Sequence, residues 1–449
     1  MRKILFITVL YVGFTNLITA QEKVWTMNDC MRFAVENSPK VKKQQFTNDT
    51  YKAEYQSSVA SFFPSLEVST SAQYSYGRSI DPETNTYDNT STFNNGYSAY
   101  TSIPLFNGGQ LVNQWRLAKV NKRLGMNNIQ KEKDDLALNT MQAFMNVVYY
   151  QGTVKMASEK LVESNRILYK TQRMEELGLK GRADVAQIEA QAAADDYNLT
   201  HQENLYTNAL LTLKEYMNYP FDQELEIDTT LIDKAYLEME SIWEIYEYAK
   251  ETNPTALEVD YKLKAYKMEH LIYKGKLFPT ISFSAGVSTN YYENLKSDVA
   301  ATSFGSQFKN NRGEYFSFNL SFPLFSRLSR LTNIRRARNN VRIAEQQQTE
   351  VLHQLQVAIE KAVSDRTGYA KESIQMEKKR NADEIAYQAT LRKFEEGLMS
   401  PIDLQTSANT LLLSKADLLQ KKLMYILKCK EVDYYKGVPL INEQLTVDN

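Results

Sequence analysis

The side chains able to do chemistry are present but poorly spaced for it. His201, His270 and His353 each stand alone on a helical pattern. No His-x-x-x-His spacing occurs and no cysteine lies beside them, so no metal set is expected. Cys30 and Cys429, the only two cysteines, are too few for a disulfide framework. Buried thiols satisfy the sequence, and so does one bridge joining the ends of the chain in an oxidising compartment. The 54 carboxylates are too evenly scattered to nominate a general acid and base. No glycine loop suits phosphate, and "FNGGQ" at 106–110 reads as a strand-to-helix hinge. The expectation is no enzyme, no cofactor and no metal. Two acids do hold matching positions. In "GLMSPID" the helix stops at Gly397, Ser400 is a good N-cap, Pro401 suits the first turn and Asp403 follows three past the cap. "GLKGRAD" repeats this, with Gly178 as the stop, Gly181 at the cap and Asp184 three beyond it. By themselves these aspartates are helix-start acids favoured by the dipole.

The elements that place those turns are long. Only 16 glycines and 10 prolines punctuate 449 residues. Between Gly109 and Leu177 no proline interrupts a helical pattern, which makes a rod of about 100 Å. Val147, Val154, Leu161 and Leu168 recur every seven residues, and Val185, Ile188, Ala192, Leu199, Tyr206 and Leu213 continue a heptad-like seam with polar interruptions after the turn. Helices therefore pair side by side. "LEVSTSAQYSY" at 66–76 alternates strictly, with Leu66, Val68, Thr70, Ala72, Tyr74 and Tyr76 on one face and Glu67, Ser69, Ser71, Gln73 and Ser75 on the other. Three further strands follow the same rule. They carry Tyr97 to Leu105, Ile281 to Tyr291 and Phe316 to Leu324 on their apolar faces, and polar loops at 79–95 and 293–312 join each pair.

The chain also repeats itself. "FFPSLEVS" answers to "LFPTISFS", placing Pro64 and Pro279 215 residues apart, and "ENSPK" answers to "ETNPT" at the same interval. "IPLF" matches "FPLF", and Gly178 matches Gly397, both 219 apart. This is a tandem duplication with four residues inserted between the second pair of strands. Each copy reads as a helix of about 30 residues, opening near Met27 or Ser241, then two strands, then a long helical hairpin.

Arg2 and Lys3 lead an apolar run that ends in Ile18-Thr19-Ala20, the pattern of a secretory signal peptide. No later stretch approaches the roughly 20 apolar residues of a transmembrane helix. Near balance between 53 basic and 54 acidic side chains gives no nucleic-acid surface. The strands, by contrast, suit an outer membrane, where about 9 to 11 tilted residues cross the lipid with apolar side chains outward and polar ones inward. A closed barrel takes at least about eight strands. A chain with four must then share its barrel with copies of itself.

The chain resembles the TolC-type outer-membrane efflux family over nearly all its mature length. The residues that carry the likeness are "WTMNDCMRFAVENSP" from Trp25, "FFPSL" and "LFPTI" before strands, "PLFNGG" and "PLFSRL" after them, and the paired Gly-Leu turns. The resemblance implies a homotrimer in the bacterial outer membrane that extends into the periplasm, with a shared 12-stranded transmembrane β-barrel continued by an α-barrel of twelve helices. Such a duct receives substrate from an inner-membrane RND or ABC pump through a periplasmic adaptor protein. The layout it implies is a signal peptide at 1–20, a first repeat helix at 21–64, a first β-hairpin at 65–107 and a first periplasmic helical hairpin at 108–219. An equatorial linker at 220–240 leads to a second repeat helix at 241–278, β-hairpin at 279–325 and helical hairpin at 326–436, with a tail at 437–449. By the same resemblance Gly178, Leu179, Gly397 and Leu398 are adaptor-docking tips, and Asp184 and Asp403 match gate positions. Familiar relatives have an arginine, a tyrosine and a second acid where this chain has Met399, Phe394 and Thr406. Closure is expected either through Arg182 or Lys180 with Asp184, or through apolar contact of Phe394 with Met399. A periplasmic coiled-coil scaffold, and a specialised type I protein, peptide or metal-ion export duct, are the alternatives.

Overall fold

The computed structural model describes residues 24–80, 85–230, 240–297 and 300–441. The expected signal peptide, residues 231–239 of the expected linker and the last residues of the tail lie outside them. No described helix is long and apolar enough to cross a membrane.

Each half opens with two helices where the sequence pattern reads as one: α1 (Met27–Asn37) and α2 (Pro39–Ala60), then α5 (Ile242–Thr252) and α6 (Pro254–Gly275). Proline disfavours helical backbone in the residue before it. Ser38 and Asn253 accordingly sit extended, at φ −68° and ψ 124° and at φ −68° and ψ 128°. Both then act as caps: Ser38 Oγ accepts from Val41 N–H at 3.3 Å, and Asn253 Oδ1 from Thr255 N–H at 2.9 Å. The break recurs at the duplication interval.

Two 67-residue helices, α3 (Gln110–Glu176) and α8 (Ser329–Glu395), form rods of about 100 Å each. α4 (Arg182–Met217) and α9 (Pro401–Tyr435) return beside them. The main core lies where α1, α3, α4 and α9 meet, around Met31, Met141, Phe144, Leu213 and Met217. Trp25, Phe33 and Tyr219 close its end with edge-to-face rings 5.2 to 5.6 Å apart. Cys30 and Cys429 are separate thiols. The α3 seam is displaced from the expected Val154, Leu161 and Leu168, which are only half-buried. Thr153, Ala157, Ser164, Ile167 and Thr171 are buried instead. Small residues let neighbouring helices approach, and their hydroxyls are satisfied locally: Thr153 and Thr171 donate to Tyr150 O and Ile167 O at 2.9 and 2.8 Å.

A second, smaller core of Ile245, Leu355, Ile359 and Val432 holds the other half. Beside it Glu240 pairs with the buried Arg366 at 3.1 Å and with Lys436. Burial pushes the Glu240 carboxyl up, and hydrogen bonds from Lys436 and Arg366 outweigh it, so the net shift is below 4.5. A carboxyl depressed in the folded state contributes stability that is complete above its unfolded value and is lost as pH falls through the folded one. Acidification from pH 7 is therefore expected to begin weakening this junction below about 4.5. Denaturant midpoints measured against pH check this: Glu240→Gln flattens that part of the profile.

The four strands are β1 (Ser65–Ile80), β2 (Tyr87–Phe106), β3 (Thr280–Asn294) and β4 (Gly313–Ser321), in one antiparallel sheet of order β1-β2-β3-β4. Three exceed the expected membrane length, and β2 takes up 87–95, which the sequence reads as loop. There the alternation weakens because Asn89 and Asn95 share the face of Phe93, while Thr92 and Asn94 lie on the other. Where all four strands run together, the rows on one face are Leu66-Thr101-Ala285-Phe316 and Val68-Ala99-Val287-Glu314. On the other face lie Ser65-Ser102-Ser284-Ser317, Glu67-Tyr100-Gly286-Tyr315 and Ser69-Ser98-Ser288-Gly313. Among the described residues the outer edges of β1 and β4 have no strand partner, and Leu66, Val68, Phe316 and Phe318 stay exposed.

The second inter-strand segment, expected as loop, contains a short helix, α7 (Phe304–Asn310). β4 stops opposite Ser288, so the next stretch of the β3 edge needs other partners. Gln307 supplies them like a strand would: its Oε1 accepts from Tyr292 N–H at 2.9 Å and its Nε2 donates to Tyr292 O at 2.8 Å. Asn311 donates to Asn290 O at 2.8 Å. Phe304 and Phe308 stack edge-on against Tyr97, fixing α7 to the apolar face.

At the junction of sheet and rods, Gly108 and Gly109 have φ of +65° and +75°, the hinge expected from "FNGGQ". A Cβ on Gly108 would come within 2.1 Å of Gly275 O. Here the chain leaving β2 crosses the chain entering β3 backbone to backbone.

Candidate functional site: the paired helical tips

Both rods end in the same turn. Gly178 and Gly397 adopt φ of +72° and +77°. Around the first, Gly178 N–H donates to Glu175 O and Leu179 N–H to Met174 O, both at 2.8 Å. Around the second, Gly397 N–H donates to Phe394 O at 3.0 Å and Leu398 N–H to Lys393 O at 2.8 Å. These are paired Schellman motifs, which close the last carbonyls of a helix and need a left-handed residue. They present Leu179 and Leu398 to solvent, 66% and 71% exposed. A Cβ at Gly397 meets nothing within 4 Å, so Gly397→Ala isolates the backbone cost of left-handed geometry. That cost is about 1–2 kcal/mol. Denaturation of the solubilised protein reads it, and Leu398→Ala, which keeps the turn, is expected to leave the midpoint in place.

The returning helices are capped by the two aspartates. Ser400 Oγ accepts from Asp403 N–H at 3.2 Å, and Asp403 Oδ2 accepts from Ser400 Oγ–H at 2.6 Å and from Ser400 N–H at 3.3 Å. Gly181 has no side chain to cap with, so only the return bond forms, Gly181 N–H to Asp184 Oδ2 at 3.2 Å. Asp403 and Thr406 are exposed, and the Thr406 hydroxyl donates to Ile402 O at 2.8 Å.

The two hairpins meet just behind these turns. Ile167, Ile188, Leu391, Phe394 and Leu404 form one cluster drawn from α3, α4, α8 and α9, and Tyr387 and Met399 pack against it. Phe394 is 2% exposed. Lys180 lies over its ring, 4.9 Å from the centroid. Arg182 is directed to Glu175, at 3.8 Å. The expected pairing of Arg182 or Lys180 with Asp184 is thus absent among the described contacts. Asp184 is occupied by its cap, and the two cations are drawn to a ring and to another acid. Partial burial, with Glu163 nearby, pushes the Tyr387 hydroxyl up to about 12.

One turn further from the tips lies a polar node that the sequence pattern passes over. Asp195 of α4, 4% exposed, accepts from Ser164 Oγ at 2.6 Å and from Gln191 Nε2 at 2.8 Å. Lys160 Nζ approaches it at 3.0 Å and also donates to Asn409 Oδ1 of α9. Gln405 of α9 bonds Gln191 across the same gap. The available signal was spacing: Asp195 falls seven residues after Ile188, a polar residue on a buried seam.

A duplicated pair of helical rods, joined at their tips and crowned by an open sheet with one apolar and one polar face, is the build of an outer membrane channel subunit. The chain belongs to the outer membrane efflux protein family, whose model matches residues 32–219 and 245–426. The fold is shared with the outer membrane protein VceC from Vibrio cholerae, at a TM-score of 0.77, 14% identity and coverage of 92% of this chain and 96% of that one. It is shared with the Campylobacter jejuni CmeC outer membrane channel, at 0.78, 16%, 93% and 86%. The open state of the Neisseria gonorrhoeae MtrE outer membrane channel matches at 0.71, 16%, 92% and 88%. At these identities the likeness is one of fold. No curated protein sequence matches the chain.

Proposed function

We propose that three copies of the chain close one barrel in the outer membrane and one helical tunnel beneath it, forming the exit duct of a tripartite export system. The observation that carries this is the sheet. Its apolar rows are exposed at Leu66, Val68 and Phe316, its polar rows line the opposite face, and among the described residues both edges lack strand partners. Four strands cannot close a barrel, whereas further copies add strands edge to edge and put every apolar row into lipid. A periplasmic scaffold gives no reason for that face. The tips then lie about 100 Å from the sheet, where Gly178, Leu179, Gly397 and Leu398 offer two like turns to a periplasmic adaptor. Asp184 and Asp403 sit beside them at the mouth, with closure carried by packing around Phe394 and Met399. Adaptor and inner-membrane pump are the partners this reading requires. The test is native mass spectrometry of detergent-extracted protein with planar-bilayer recording of the same sample. A trimer that conducts is expected, and a water-soluble monomer overturns the reading.

A further inference from the structure

Where all four strands run together the polar face of the sheet is almost uniform, and the one exception there is informative. Of the three polar rows that run across all four strands, two consist of serines and a glycine. The row between them is Glu67-Tyr100-Gly286-Tyr315. It holds the only charge in these three rows and their only bulky side chains. The parts of this row are fitted to one another. The Tyr100 hydroxyl donates to Glu67 Oε2, holding the carboxylate over the sheet. The Tyr315 ring lies across Gly286, whose missing side chain makes the room: a Cβ there would stand 2.8 Å from Tyr315 Cε1. Serines on either side leave the row standing proud. Ser69 and Ser98 hydroxyls bond each other at 2.7 Å, and Ser102 and Ser284 at 3.3 Å, so those side chains stay low on the sheet.

We propose that this row is a selectivity ring in the barrel lumen, narrowing the exit path and favouring cations over anions through Glu67. The proposal rests on the shared barrel argued above, in which symmetry repeats the carboxylate and both phenols around the wall. A ring of acidic side chains in a pore raises local cation concentration and excludes anions. The phenols add a second effect. They displace water at the level of the carboxylate and present ring faces to passing organic cations, which aromatic faces attract.

The test uses the full chain reconstituted in planar bilayers under a potassium chloride gradient. The background carries Asp184→Asn and Asp403→Asn, so that acids at the far end do not set the reading. Glu67→Gln is expected to lower the cation-to-anion permeability ratio by at least about twofold, since it removes every charge of the ring. Tyr315→Ala is expected to raise single-channel conductance while keeping the ratio above that of Glu67→Gln. An unchanged ratio in Glu67→Gln, in channels that conduct, overturns the ring and leaves the duct reading intact. Absence of channels or trimers in the unmodified protein overturns the duct reading itself. If Glu67→Gln does not assemble, Glu67→Asp reports instead: withdrawing the carboxylate from Tyr100 while keeping the charge must preserve cation preference, and its loss sinks the proposal.

Discussion

Asp195→Ala is expected to destabilise the rods by about 3–5 kcal/mol, because it strands the Lys160 ammonium inside the helical packing. The two side chains are 5% and 13% exposed, so neither can recover solvation by a small movement. Removing one partner of such a pair leaves the desolvation of the other uncompensated, whereas removing both at once need cost little. Lys160→Met with Asp195→Leu is therefore expected to recover most of the loss. Ser164→Ala, which deletes one hydrogen bond to the carboxylate, is expected to cost about 1.5–3 kcal/mol, the range for bonds to charged groups. Denaturant midpoints of the solubilised protein measure all three. If Asp195→Ala unfolds where the unmodified protein does, the pair is solvated in the assembly and the node is not structural. The same variants carry a functional reading, since Lys160 also reaches Asn409 on α9. Loosening that link frees one hairpin from the other, and resting conductance is expected to rise in Asp195→Ala and to return toward normal in the double variant.

What the sequence discloses and what it hides divides along physical lines. Proline-free continuity from Gly109 to Leu177 reads directly as α3, because a helix that long has no other way to be written. The two faces of the sheet are legible for the same kind of reason: a strand with one apolar and one polar face must alternate, and the observed rows keep the expected residues together. Legibility ends where burial no longer dictates residue type. Over 87–95 of β2 the face that carries Phe93 also carries Asn89 and Asn95, and so few apolar residues do not separate strand from loop. α7 is held by side-chain amides and two rings, a set of contacts that exists only once the edge of β3 is in place. Beyond Val148 the buried seam of α3 escapes a search for apolar heptads because threonine, alanine and serine fill most of it. Pro39 and Pro254 were visible, and their effect as helix breaks follows from the residue before each of them. At the tips the sequence shows which residues are near one another, yet the partners of Lys180 and Arg182 depend on where the second hairpin packs.

That packing is what Phe394→Ala tests. The ring is enclosed by Ile167, Ile188, Leu391 and Leu404, three residues from the other helices of the two hairpins and one from its own helix turn. Cutting it to a methyl group is expected to cost about 3–5 kcal/mol, since the lost transfer energy is joined by a cavity that long helices fixed at their far ends cannot collapse to fill. Phe394→Leu, which keeps most of the volume, is expected to cost less than half as much. Lys180→Ala removes only the cation above the ring, about 0.5–1 kcal/mol at an exposed site, so it separates the apolar contact from the charged one. The local readout is limited trypsin digestion. Lys180 stands in the first inter-helix turn, Arg182 opens α4, and Arg392 and Lys393 lie in the last turn of α8; cleavage at these sites is expected to accelerate in Phe394→Ala while cleavage elsewhere along the rods does not. If closure at this end depends on apolar packing, conductance of the reconstituted channel rises in step with that cleavage. If Asp184 and Asp403 hold the end shut through contacts between copies, Phe394→Ala speeds digestion and leaves conductance unchanged, and the acids, not the ring, are then the closing element.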